Sequence, residues 1–178
     1  ELVLEPGQKV QLRARLFDDK GRFLRQETAA AWSLDGLTGT LTDGAFTPGP
    51  GPAEQAGLIK ATVGGLTGQA RARVVRPLPW KETFESYADG AVPPGWVNAV
   101  AGKIAVATLD GQKVLQKLPD ETIFKRFRTF IGPVTWSNYT FEGDVRAATR
   151  RRQMGDVGIT AQRYTLVLYG TSPKLKIE

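Results

Sequence analysis

The 178-residue sequence contains no cysteine, no histidine and a single methionine. Without thiols or imidazoles there can be no disulfide, no thiolate nucleophile, no Ser-His-Asp triad and no zinc site of the usual nitrogen and sulfur kind. The missing cysteines do not place the chain in a reducing compartment, because disulfides are an option of oxidising compartments rather than a requirement. No run approaches the ~18 consecutive apolar residues that a membrane helix needs. No secretory signal is visible either. The chain opens at Glu1 rather than Met, which we read as a processed or trimmed start, so that absence says nothing about export. None of the glycines sits in the strand–loop–helix context of a phosphate-binding fingerprint.

The sequence is rich in punctuation instead. Its 20 glycines and 11 prolines separate short apolar runs, which predicts an all-β protein with many turns. A composition of 41% hydrophobic and 24% charged residues is that of a soluble globular chain. The net charge of +6 is uneven. Residues 1–76 hold ten Lys/Arg against eight Asp/Glu, whereas residues 77–178 hold fourteen against ten. The excess lies in Lys125-Arg126-Phe127-Arg128 and between Arg146 and Arg152, as either a solvated basic loop or a surface for an anionic partner.

In the first part, Val10, Leu12, Ala14 and Leu16 alternate with Gln11, Arg13 and Arg15, the pattern of a half-buried strand. Asp18-Asp19-Lys20-Gly21 reads as a turn. Ala31-Trp32-Ser33-Leu34 is a short strand whose Trp32 is expected to fill a core, and Leu41 and Phe46 are further expected anchors. Ile59, Ala61 and Val63 form a strand, Gly64-Gly65 a tight turn, and Ala70, Ala72 and Val74 a closing strand with Arg71 and Arg73 pointing outward. Short strands at this spacing predict a β-sandwich. The runs PGQKVQLRARLFDDKGRF, AAWSLDG, GAFTPG and AGLIKATVGGLTGQARARV together resemble a bacterial immunoglobulin-like domain over about residues 1–76. The resemblance implies a spacer or adhesive module of an exported protein.

Residues 77–80, Pro77-Leu78-Pro79-Trp80, read as a linker, since two prolines around one residue do not fit a central strand. Residues 81–178 read as a second β-domain. Thr83-Phe84-Glu85 is expected to start a strand. Leu109-Asp110-Gly111-Gln112 is expected to close a hairpin between Ile104-Ala105-Val106 and Lys113-Val114-Leu115. Thr122 to Gly132 is expected to be extended. From Asn138 to Glu178 four strands are expected, each with one buried face. They are marked by Tyr139, Phe141 and Val145, by Val157, Ile159 and Ala161, by Tyr164, Leu166 and Leu168, and by Leu175 and Ile177. The pattern stops mid-meander, so we expect a piece of a larger protein.

FESYADGAVPPGW, the entry Trp136-Ser137-Asn138-Tyr139-Thr140 and the strand FEGDVR resemble a concanavalin A-like (laminin-G-like) jelly roll, in the version found beside PQQ-type β-propeller repeats of exported bacterial proteins. The resemblance implies two packed antiparallel sheets with a concave ligand face. The family's later strands are not in this sequence, so the domain is expected to be incomplete.

Glycosidases on that fold carry Glu-x-Asp-x-x-Glu on one strand, and glycoside hydrolysis usually needs two carboxyl groups. Here Glu142-Gly143-Asp144 begins the pattern, but Ala147 stands where the second glutamate would be, with Arg146 before it. The residues therefore read as a polar ligand-groove face, or as solvent-facing carboxylates balanced by Arg146, rather than as a catalytic pair. Arg150-Arg151-Arg152 can hold sulfate, carboxylate or phosphate by forked hydrogen bonds. Nucleic acid is disfavoured, because the aromatics do not interleave with the arginines as a stacking platform requires. Trp96, Trp136, Tyr139, Tyr164 and Tyr169 are sugar-stacking candidates that also suit core or corner positions. No cofactor is expected. Calcium, common in the resembled family, finds oxygen donors in Glu85, Asp89 and Asp110, without an EF-hand-like loop to assign it.

The expected function is a non-catalytic binding module of a periplasmic, cell-surface or extracellular bacterial protein. Its expected partner is a carbohydrate or acidic polysaccharide, recognised by Glu142, Asp144, Arg146 and Tyr164. The alternatives are a glycoside hydrolase with further residues past Glu178, or a structural module docking an adjacent β-propeller.

Overall fold

The computed structural model describes residues 1–50, 54–119, 127–150, 153–172 and 174–178. Among these the chain is all-β, with sixteen strands and no helix. It divides into two compact units, Glu1–Pro133 and Val134–Glu178.

The first unit contains β1 (Leu2–Leu4), β2 (Val10–Gln11), β3 (Ala14–Phe17), β4 (Phe23–Glu27), β5 (Ala31–Asp35), β6 (Gly39–Thr42), β7 (Ala45–Pro48), β8 (Gln55–Val63), β9 (Leu66–Val74), β10 (Ile104–Leu109) and β11 (Gln112–Lys117). One sheet has the order β1-β9-β8-β5, with β1 parallel to β9 and the other pairs antiparallel. A second sheet has the order β2-β7-β6, and β3 pairs with β4. The apolar faces of the two larger sheets meet in one core. Leu4, Phe46, Ile59 and Ala72 are buried in it with Leu37, and Val10, Leu34 and Leu41 pack around them. Phe46 is wholly buried, as the sequence leads one to expect, whereas Leu41 and Trp32 are only partly so.

The two-residue hairpins follow their turn chemistry. Gly64 and Gly65 join β8 to β9 with φ of 53° and 82°. Asp110 and Gly111 join β10 to β11 with φ of 51° and 80°. Positive φ at both central residues gives the turn hand that matches strand twist.

Where the sequence predicts a strand at Thr83-Phe84-Glu85 there is a turn. Phe84 takes a φ of 61°, and its N–H donates to the Glu82 carboxylate instead of to a ladder. Arg73 does not simply point outward. Its guanidinium donates to Glu1 and to the Pro94 carbonyl. Of the predicted extended segment from Thr122 to Gly132, Thr122 to Arg126 lie outside the described residues. The remainder is coil, tied to the first unit by a bridge between Phe130 and Val97.

The second unit contains β12 (Thr149–Arg150), β13 (Gln153–Met154), β14 (Val157–Ala161), β15 (Tyr164–Leu168) and β16 (Leu175–Ile177). β12 pairs with β13, and β14-β15-β16 form an antiparallel meander. Three of the four strands expected between Asn138 and Glu178 are therefore present. The first is not, since residues 139–148 pair with no strand among the described residues and run as coil. Alternation alone does not make a strand; the backbone needs a neighbour to take its hydrogen bonds.

The face predicted to be buried on the meander is also open. Register places Ile159, Leu166 and Ile177 side by side, and Val157, Leu168 and Leu175 beside them. Leu166, Leu168, Leu175 and Ile177 are all exposed, the last two at 62% and 69%.

Candidate functional site

The residues nominated by sequence fall on separate segments of the second unit. Glu142, Asp144 and Arg146 lie on the coil before β12 and are solvent-exposed, so the polar strand face expected of them does not exist as a strand. Tyr164 opens β15, directly across from Ala161, and is 69% exposed. Arg150 contributes backbone to β12, and Arg151 and Arg152 lie outside the described residues. Of the other aromatics, Tyr169 donates its hydroxyl to Glu178 at 2.8 Å, a bond that raises its pKa. Trp96 packs against Phe84 with ring centroids 5.7 Å apart and the ring planes tilted by 46°.

The calcium donors are not assembled. Asp89 accepts from Lys113 Nζ and from Thr108 Oγ1, and the Lys113 bond is the main reason its carboxyl sits below the ordinary aspartate range. Asp110 occupies the left-handed turn of the β10–β11 hairpin. Among the described residues no group of three or more acidic side chains is placed to hold a metal ion.

Among the described residues a tight polar constellation lies in the first unit, around Glu54, a residue that the sequence pattern does not mark. Glu54 is buried at 9% exposure, just ahead of β8. Arg76 donates from Nε to Glu54 Oε1 at 2.9 Å, and its Nη2 lies 2.8 Å from the same oxygen. The Tyr87 hydroxyl donates to the other oxygen at 2.7 Å. Arg76 also bonds Glu82 at 2.5 Å and lies over the Trp80 ring. The fork of Arg76 thus serves two carboxylates, the geometry for which a guanidinium is suited. Burial and the bond to Glu54 hold the Tyr87 phenol well above its ordinary pKa. Gly95 packs directly on the carboxyl group, since a Cβ there would stand 2.8 Å from Glu54 Cδ. The only hint in the sequence is that Glu54 and Arg76 flank the β8–β9 hairpin, a long-range pairing that spacing along a single strand does not reveal.

These groups bond one another and form a clasp. It joins the start of β8 to the chain beyond β9, across the segment that reads as a linker.

A separate concavity of about 320 Å³ opens beside Trp32, lined also by residues 11–14 and 26–28 and by Asp43. Trp32 belongs partly to the core and partly to this cleft. It lies against Gly44, where a Cβ would come within 2.8 Å of Cζ2, so the glycine is what lets the indole seat there.

No helix among the described residues is long and apolar enough to cross a membrane. Comparison with protein-family models, with curated proteins and with solved structures finds no match for this chain.

Proposed function

We infer that this chain is a non-catalytic binding module of an exported bacterial protein and that its ligand is carbohydrate. In this reading residues 1–76 are an immunoglobulin-like sandwich, supported by the order β1-β9-β8-β5 facing β2-β7-β6 with β1 parallel to β9. Residues 81–178 belong to a concanavalin A-like jelly roll. The exposed apolar face of β14-β15-β16 supports this, because such a face is what one sheet of a two-layer sandwich presents to the other.

The observation that carries the functional reading is how the acidic groups are arranged. The carboxylate buried among the described residues, Glu54, is engaged on both oxygens by Arg76 and Tyr87. Glu142 and Asp144 stand exposed on coil, and an acid pair for glycoside hydrolysis needs to be held across a bond to be broken. Exposed Glu142, Asp144, Arg146 and Tyr164 suit reversible contact with sugar hydroxyls better than acid–base chemistry.

The test is a glycan array probed with the 178-residue chain, beside a turnover assay on the polysaccharides that bind. We expect binding without cleavage. Release of reducing ends that Glu142→Gln abolishes would replace this reading with the hydrolase. A second reading, docking of an adjacent domain such as a β-propeller, is favoured by the open apolar face of the meander. An array without hits would leave that reading in place.

A further inference from the structure

We propose that the cleft beside Trp32 is a carbohydrate subsite, built on the first unit and distinct from the exposed residues of the second. The inference rests on the carbohydrate-binding reading and adds a site to it. A sugar ring has an apolar C–H face and an edge of hydroxyls. It is held where an aromatic plane meets groups that can both donate and accept hydrogen bonds.

The cleft offers that combination. Trp32 supplies the half-buried aromatic surface, and Gln11, Arg13, Gln26, Glu27 and Asp43 are among the residues that line the cleft around it. Its volume of about 320 Å³ is at the small end of ligand sites and suits a short oligosaccharide.

Two of the polar groups are already fixed in place. Gln11 Nε2 donates to the carbonyls of Asp43 and Leu12 at 2.9 and 3.1 Å. Glu27 accepts from the Ala29 N–H and from Arg25 Nε. These bonds, the Ala29 bond first, keep its carboxyl below the ordinary range, so it is an acceptor at neutral pH. Groups fixed before a ligand arrives lose little freedom on binding. Nothing in the packing of the core requires the exposed side chains of Gln26 and Asp43.

The whole 178-residue chain should be titrated calorimetrically with cello-, manno-, laminari-, chito- and galacturono-oligosaccharides. The indole N–H resonances should be followed by NMR in parallel. We expect the Trp32 resonance, assigned from Trp32→Phe, to shift with one of these probes. We expect the double variant Gln26→Ala/Asp43→Asn to bind that probe about tenfold or more weakly at unchanged thermal midpoint. Asparagine tolerates the left-handed φ of 49° at position 43, so this variant keeps the fold. Binding that persists in the double variant, leaves Trp32 unmoved and is lost in Tyr164→Ala would overturn the cleft and leave the carbohydrate reading standing. Absence of binding by every probe would overturn both.

Discussion

The Tyr87 hydroxyl donates to Glu54 at 2.7 Å, across 33 residues of sequence. That bond ties the chain after the Pro-Leu-Pro segment to the sandwich before it. With Arg76 on the other oxygen, both oxygens of a buried carboxylate are engaged, and such a group is costly to leave unmet.

Removing either partner should therefore destabilise the first unit. Tyr87→Phe keeps the ring and deletes one bond to a charged group, a loss of about 1.5–3 kcal/mol. Glu54→Ala leaves Arg76 with only Glu82 among its carboxylates and should lose roughly 2–4 kcal/mol, somewhat less than a fully buried broken pair because Arg76 is one-third exposed. Urea unfolding curves of the two variants and of the double variant check this. The double variant should be less destabilised than the two losses added together.

Gly95→Ala places a methyl group where the Glu54 carboxyl stands. Because Arg76 and Tyr87 pin that carboxyl, it cannot swing aside without breaking a bond. The expected loss is about 1–3 kcal/mol, typical of overpacking, measured by thermal or urea unfolding. In a Glu54→Ala background the same substitution should lose much less.

Alkaline stability should report on Tyr87. Its folded pKa is raised above the unfolded value of 10.0. The corresponding stability is fully present below pH 10 and is lost as pH rises above it towards the folded pKa. Unfolding midpoints measured through this window should fall less steeply for Tyr87→Phe than for the parent. An ultraviolet difference titration should show that the variant lacks a late-ionising phenol.

The open face of β14-β15-β16 should make the chain associate or bind hydrophobic dyes. Leu175→Lys with Ile177→Lys changes two exposed positions on that face. The substitutions should lower both dye fluorescence and the weight-average mass in sedimentation, without loss of far-ultraviolet β signal. Unchanged association would mean that another surface is responsible.

Local patterns were the legible part. The Gly64-Gly65 and Asp110-Gly111 turns, the alternation on either side of them and the burial of Phe46 follow from turn chemistry and period two. Both are properties of neighbouring residues. The segment from Tyr139 to Arg146 has the same alternation yet forms no strand, because pairing depends on a partner that the segment's own residues do not specify. For the same reason Leu166 and Leu168, apolar at every second position, are exposed: the sequence says which face would be buried and not what would cover it.

By itself the sequence determined the class of this protein, an all-β chain without thiol or imidazole chemistry, since composition and turn residues act locally. Only the tertiary structure decided where its polar groups matter. It brought Glu54, Arg76 and Tyr87 into one buried clasp and opened a cleft beside Trp32. The energy of a charge or an aromatic ring depends on what burial and distant segments put next to it, and no spacing along the chain records that.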